Sequence, residues 1–145
     1  MKRRNFIKST CMFCAAALTG GAMTTLLSSC SSEQFIGAEM QNGRIVLPLH
    51  TMLDRKTKII RAKQYDNDIA LCYSRNGELV ALVMQCTHFP NPIIHRDAGF
   101  YCSVHGSSFD SSGQVTHGPA IKPLKTLKVS ILPDSILIDT LEANQ

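Results

Sequence analysis

Cys86-Thr87-His88, then thirteen residues, then Cys102-Ser103-Val104-His105-Gly106-Ser107-Ser108-Phe109-Asp110 and, past a turn, Gly118-Pro119-Ala120: the reading of this stretch decides the rest of the 145-residue chain. In each half a cysteine and a histidine stand one or two residues apart, so a tight loop can turn both side chains toward one centre. Two such loops offer two thiols and two imidazoles, a four-donor cage. A single Cys or His is ordinarily a packed or solvated residue. Four of them in this order, followed by turn glycines, are a metal site.

The order of the donors selects the metal. Structural zinc of the finger class draws on a Cys pair and then a His pair, whereas here each loop gives one of each. A binuclear iron–sulfur cluster can use that division by placing both thiolates on one iron and both neutral imidazoles on the other. The segment resembles the two cluster-binding boxes of Rieske proteins, and the likeness continues through Gly106-Ser107, Phe109-Asp110, Gly113 and Gly118-Pro119-Ala120. With the flanking strands it spans about Ile45 to Leu141. The resemblance implies a [2Fe-2S] cluster held by Cys86, His88, Cys102 and His105, with the imidazoles at an exposed tip and the thiolates inward. It also implies that Ser107, Phe109 and Pro119 surround the cluster, with the Ser107 hydroxyl turned toward a bridging sulfide. The alternative is a structural or binding lipoprotein whose same four donors hold zinc, without redox activity.

Departures from the respiratory branch of the family bear on the potential. A further Cys in each box, joined there as a disulfide, is replaced here by Asn91 and Val104, while Pro90 and Pro92 supply fixed φ to the first loop. Phe109 stands where high-potential members carry a Tyr whose hydroxyl donates to a ligand sulfur. Loss of that donor leaves the reduced, more negative cluster less stabilised. The expected potential therefore lies in the lower half of the Rieske range of about −150 to +300 mV.

Outward from the site, six runs alternate or are β-rich: Ile45–Leu49, Ile59–Lys63, Ile69–Ser74, Leu79–Met84, Lys125–Leu132 and Ser135–Thr140. Arg75-Asn76-Gly77-Glu78 is a hairpin turn, and Pro133-Asp134-Ser135 is a second. Leu127, Val129 and Ile131 share one face of their run. No long 3.6-residue period follows Cys30. The expectation is an all-β, Rieske-like antiparallel sandwich or barrel over residues 44–141, with a loop-rich cluster lobe inserted at about 86–119.

The N-terminus reads as targeting. Arg3-Arg4 followed by Phe6-Ile7 and Lys8 resembles a twin-arginine export signal, and residues 9–32 carry no charge. Leu27-Ser28-Ser29-Cys30 resembles a lipobox, which makes Cys30 the expected lipidation site; an uncleaved anchor helix is the alternative. Residues 31–43 read as a tether and lead-in. Export in the folded state fits the site, because a cluster can be inserted before Cys86 and Cys102 meet an oxidising compartment. Cys11 and Cys14 fall inside the export segment and are assigned no role.

Charge and motif content exclude several functions. Four of the fifteen Lys and Arg belong to the signal, leaving eleven against eleven Asp and Glu. A neutral body without a basic cluster gives no argument for nucleic acid. No mononuclear iron triad, nucleotide loop or activated nucleophile is present, so a self-sufficient enzyme is not indicated. The reading is one-electron transfer at the outer face of a bacterial membrane. The chain would serve as a carrier or small subunit of a larger oxidoreductase, with a haem, molybdenum or quinone-linked partner. His50, His95 and His117 read as surface or loop residues, His95 being the one to watch, and Cys72 as a small core residue.

Overall fold

The computed structural model describes residues 35–144, and the expected export signal, Cys11, Cys14 and Cys30 lie outside them. Six strands fall where alternation puts them: β3 Arg44–Pro48, β4 Lys58–Ala62, β5 Ile69–Tyr73, β6 Leu79–Val83, β11 Thr126–Ile131 and β12 Ser135–Asn144. The β5–β6 turn closes through Ser74 N–H to Glu78 O at 2.8 Å, with Gly77 at φ +82°, a conformation that needs no Cβ. Two short strands, β1 Phe35–Ala38 and β2 Met40–Gln41, complete the larger sheet.

That sheet runs β1-β4-β5-β6-β11-β12-β3-β2. Every pair is antiparallel except β1 with β4, which is parallel, Phe35 facing Ile59 and Ala38 facing Ala62. Only Glu39 separates β1 from β2, and β1 also touches β3, so the ends of the sheet meet in a nearly closed barrel. Among the described residues there is no α-helix, and a short 3₁₀ turn covers Leu49–Met52. No helix among them is long and apolar enough to cross a membrane.

Period-2 alternation along the middle strands feeds two cores. Ile69, Leu71, Ala81 and Val83 face the barrel interior with Ile45, Leu47, Leu127, Ile136 and Ile138. Their neighbours Ala70, Cys72, Leu82 and Met84 face the other way, into a core shared with Cys86, Ile93, Phe100, Cys102, Phe109, Ala120 and Leu124. The strand IALCY is therefore apolar on both faces, as a strand buried on both sides must be. The second core is the platform on which residues 86–124 rest.

The inserted lobe is more regular than a loop-rich reading implies. It holds a four-stranded antiparallel sheet, ordered β10-β9-β8-β7, from β7 Ile94–Arg96, β8 Gly99–Tyr101, β9 Ser108–Asp110 and β10 Val115–His117. Three-residue strands of mixed Ser, His and Gly carry almost no periodic signal, and pairing across the lobe creates them. Gly99 is required there, because a Cβ at this position would run into the Phe109 carbonyl oxygen. Two further differences concern the ends of the barrel. From Phe35 onward the expected lead-in at 31–43 is part of the sheet. On β11, Ile131 is 62% exposed although Leu127 on the expected common face is buried, because Ile131 is the last residue of the strand, at the β11–β12 turn, where the core has ended.

Candidate metal centre

Both cysteine loops close on themselves in the same way. The Cys86 N–H donates to Asn91 O at 2.8 Å, and the Cys102 N–H donates to Ser107 O at 2.9 Å, each bond spanning five residues. The first loop is braced further by Asn91 N–H to Phe89 O at 2.6 Å and by a bridge between Gln85 and Pro92. The second is tightened by Gly106 N–H to Cys102 O at 2.9 Å, with Gly106 at φ +83°. Asn91, at the position of a missing disulfide cysteine, thus holds Cys86 through its backbone, while Val104 at the other position is exposed. Among the described residues the cysteines are free thiols.

The four candidate donors separate by depth. Cys86 is 4% and Cys102 0% exposed, whereas His88 and His105 are exposed, their rings edge to face with centroids 5.0 Å apart. Burial pushes the Cys86 thiol up, but the His88 and Phe89 amides donate to it, as do contacts with Cys102 and Ser107, and the net result is a lowered pKa. A buried sulfur ringed by donors is a site prepared for negative charge. The donor set fits a cluster: two anionic ligands inside, two neutral ones at the surface.

Three loops are tied together around these donors. Ser107 is fully buried, and its Oγ accepts the Ala120 N–H at 3.0 Å while its hydroxyl lies at the Cys86 sulfur. The Thr87 hydroxyl donates to Lys122 O at 2.6 Å. The segment around Pro119, exposed and following a cis Gly118–Pro119 peptide, is thereby joined to both cysteine loops. Phe109 is buried among Cys86, Cys102 and Phe100 and has no hydroxyl to donate. Thr87 and Ala120 as tying groups were not legible beforehand, since nothing in a Thr between two donors announces a partner 35 residues away.

The remaining candidates lie apart from these loops in the chain. His50 and His117 are exposed; His95 is half-buried on β7 with its ring 5.6 Å from that of Phe100. Cys72 is a buried core residue whose thiol lies 3.4 Å from Ser111 O, and burial, with Asp110 nearby, pushes its pKa up to about 12.

A Rieske [2Fe-2S] domain model matches residues 43–128, more than half of the chain. The chain belongs to the Rieske [2Fe-2S] family. Its cofactor is accordingly a [2Fe-2S] cluster. Among Rieske relatives, the cytochrome b6-f complex iron-sulfur subunit of Chlorobaculum thiosulfatiphilum is 32% identical over 87 residues, 59% of this chain and 46% of that protein. The cytochrome b6-f complex iron-sulfur subunit 3 of Nostoc sp. is 44% identical over 64 residues, 41% of this chain and 34% of that one. The chain thus spans less than half the length of these two curated relatives. In structure it is similar to the cyanobacterial plasma membrane Rieske protein PetC3 from Synechocystis PCC 6803, with a TM-score of 0.52 at 21% identity over 63% of this chain and 94% of that one. That likeness is one of fold.

Proposed function

We propose that this chain is an exported one-electron carrier, or the small electron-transfer subunit of a larger oxidoreductase, tethered through Cys30 to the outer face of a bacterial membrane. Cys86 and Cys102 would hold the inner iron, and His88 and His105 the outer one. When bound, the cluster supplies reversible one-electron chemistry. The observation that carries the reading is the separation by depth: two buried sulfurs behind two touching, solvent-facing imidazoles. Electrons entering or leaving would pass through His88 and His105, which loops raised on a rigid sheet bring near a partner. Phe89, Val104 and Ile121, exposed by 59%, 55% and 90% on the loops around the imidazoles, offer an apolar rim to a partner protein.

Zinc is the less favoured occupant. Structural zinc of the finger class draws on a Cys pair and then a His pair. Here each loop gives one Cys and one His, a division that suits two thiolates on one iron and two imidazoles on the other. The absent donor at Phe109 and the absent disulfide support a potential in the lower half of the Rieske range and weigh against a quinol-oxidising role.

The test is EPR of the dithionite-reduced, cytoplasmically matured full chain beside His88→Cys. The rhombic signal of a mixed-ligand cluster, altered in the variant, supports the ligand assignment. An EPR-silent protein with stoichiometric zinc, or a signal unchanged in His88→Cys, overturns it. Mass analysis of the N-terminal peptide tests the lipid on Cys30.

A further inference from the structure

We propose that the pole of the barrel opposite the imidazole tip is a membrane foot, on which the domain rests against a phospholipid bilayer with its cluster end directed into the aqueous space. The inference builds on the proposed lipid at Cys30. Four residues, 31–34, separate that cysteine from β1. Four extended residues span at most about 14 Å, less than the roughly 34 Å across a domain of this size. A leash so short brings one face of the domain onto the bilayer.

The register identifies the face. Because β1 runs parallel to β4, its first residue, Phe35, lies beside Ile59, at the end where β4 begins. The segment leading into β4 carries Leu53, 75% exposed, followed by the exposed cations Arg55 and Lys56. Arg55 lies over the Tyr73 ring at 4.3 Å, placing this segment at the β5–β6 turn, the end of those strands away from Cys86. The β11–β12 turn joins the same pole through Leu49 N–H to Asp134 O at 3.0 Å, and it exposes Ile131 by 62% and Leu132 by 46%. Phe35 itself is 54% exposed. Leu53, Ile131 and Leu132 thus share the pole from which β1 enters the sheet, while the Phe35 ring at its start lies against Arg61 at 5.0 Å.

Charge at this pole suits a lipid surface without dominating. Asp54 is engaged by Lys58 at 2.6 Å, which leaves Arg55 and Lys56 to meet headgroup phosphates, opposed by the exposed Asp134 and Glu78 of the two neighbouring turns. Apolar contact is therefore the main attraction and the cations assist it. The arrangement has a redox consequence. Seven steps along β6 and its extension, from Leu79 to Cys86, separate the turn end from the cluster loop, about 23 Å of strand. A cluster raised by that distance faces a partner in the aqueous space rather than one within the bilayer.

The chain has no tryptophan, so single Leu53→Trp and Ile121→Trp variants of the full, lipid-bearing protein report the two poles separately. Both sites are more than two-thirds exposed and tolerate the ring, and visible absorbance checks that the cluster is present. In phosphatidylglycerol-containing vesicles, the expected result is a blue-shifted Leu53→Trp emission, quenched at least twofold by brominated relative to ordinary lipid, with Ile121→Trp unchanged. Equal or stronger quenching of Ile121→Trp, or no quenching at either site in protein that sediments with vesicles, overturns the foot. Protein that fails to sediment and carries no lipid overturns the anchor reading, and the foot with it.

Discussion

Replacing Ser107 by alanine lowers the reduction potential and, separately, loosens the fold. The Ser107 oxygen accepts the Ala120 amide at 3.0 Å, so its proton is free to point at the Cys86 sulfur. A donor at a sulfur stabilises the reduced, more negative state more than the oxidised one. A hydrogen bond to a charged group contributes about 1.5–3 kcal/mol, and only the difference between the two redox states counts, taken here as about 1 kcal/mol. With about 59 mV per tenfold change for one electron, that difference corresponds to a fall of about 40 mV. The same substitution leaves the Ala120 N–H buried without its acceptor, which costs about 1–3 kcal/mol of stability. Redox titration followed by visible circular dichroism measures the first effect and denaturant unfolding the second. A potential unchanged while stability falls would show that the hydroxyl only ties the loops together. A potential that rises would refute the electrostatic argument outright.

Thr87→Val removes the 2.6 Å bond to the Lys122 carbonyl, and loss of about 1 kcal/mol in the tie between loops should speed loss of cluster absorbance on chelator challenge; Thr87→Ser should restore the parent rate. Cys72 should resist alkylation in the folded protein and react on unfolding. Its thiol stays neutral in the fold up to about 12, whereas in the unfolded chain it ionises near 9.0. Its contribution to stability is therefore complete below pH 9 and is lost as pH rises from about 9 to about 12, which denaturant titrations at pH 8 and 10.5 would detect against Cys72→Ala. Gly99→Ala should break the β8–β9 pairing beside Phe109, seen as reduced cluster occupancy and a lower midpoint of unfolding.

Much of the candidate site was legible because its chemistry is local. Cysteine and histidine one or two residues apart must face one centre when the loop is tight, and the two boxes carry that information within four residues each. The six long strands were legible for a similar reason, since period-2 patterns such as Ile45–Leu47 and Ile136–Ile138 report a buried face wherever they occur. Phe35–Ala38 looked like a tether because it has no alternation of its own. It becomes a strand by pairing with β4, a partner more than twenty residues away.

By itself the sequence determined the family, the cluster chemistry and the β character of the body, all of which depend on residue identity and short spacing. The depth of the donors, which the resemblance implied, has its physical cause only in the tertiary structure. That Cys102 and Ser107 are sealed from water while His105 stands in it follows from β5 and β6 dividing their side chains between two cores, one of them beneath the cluster loops. The tie from Thr87 to Lys122 is likewise a long-range result, set by a loop closure that no local pattern encodes.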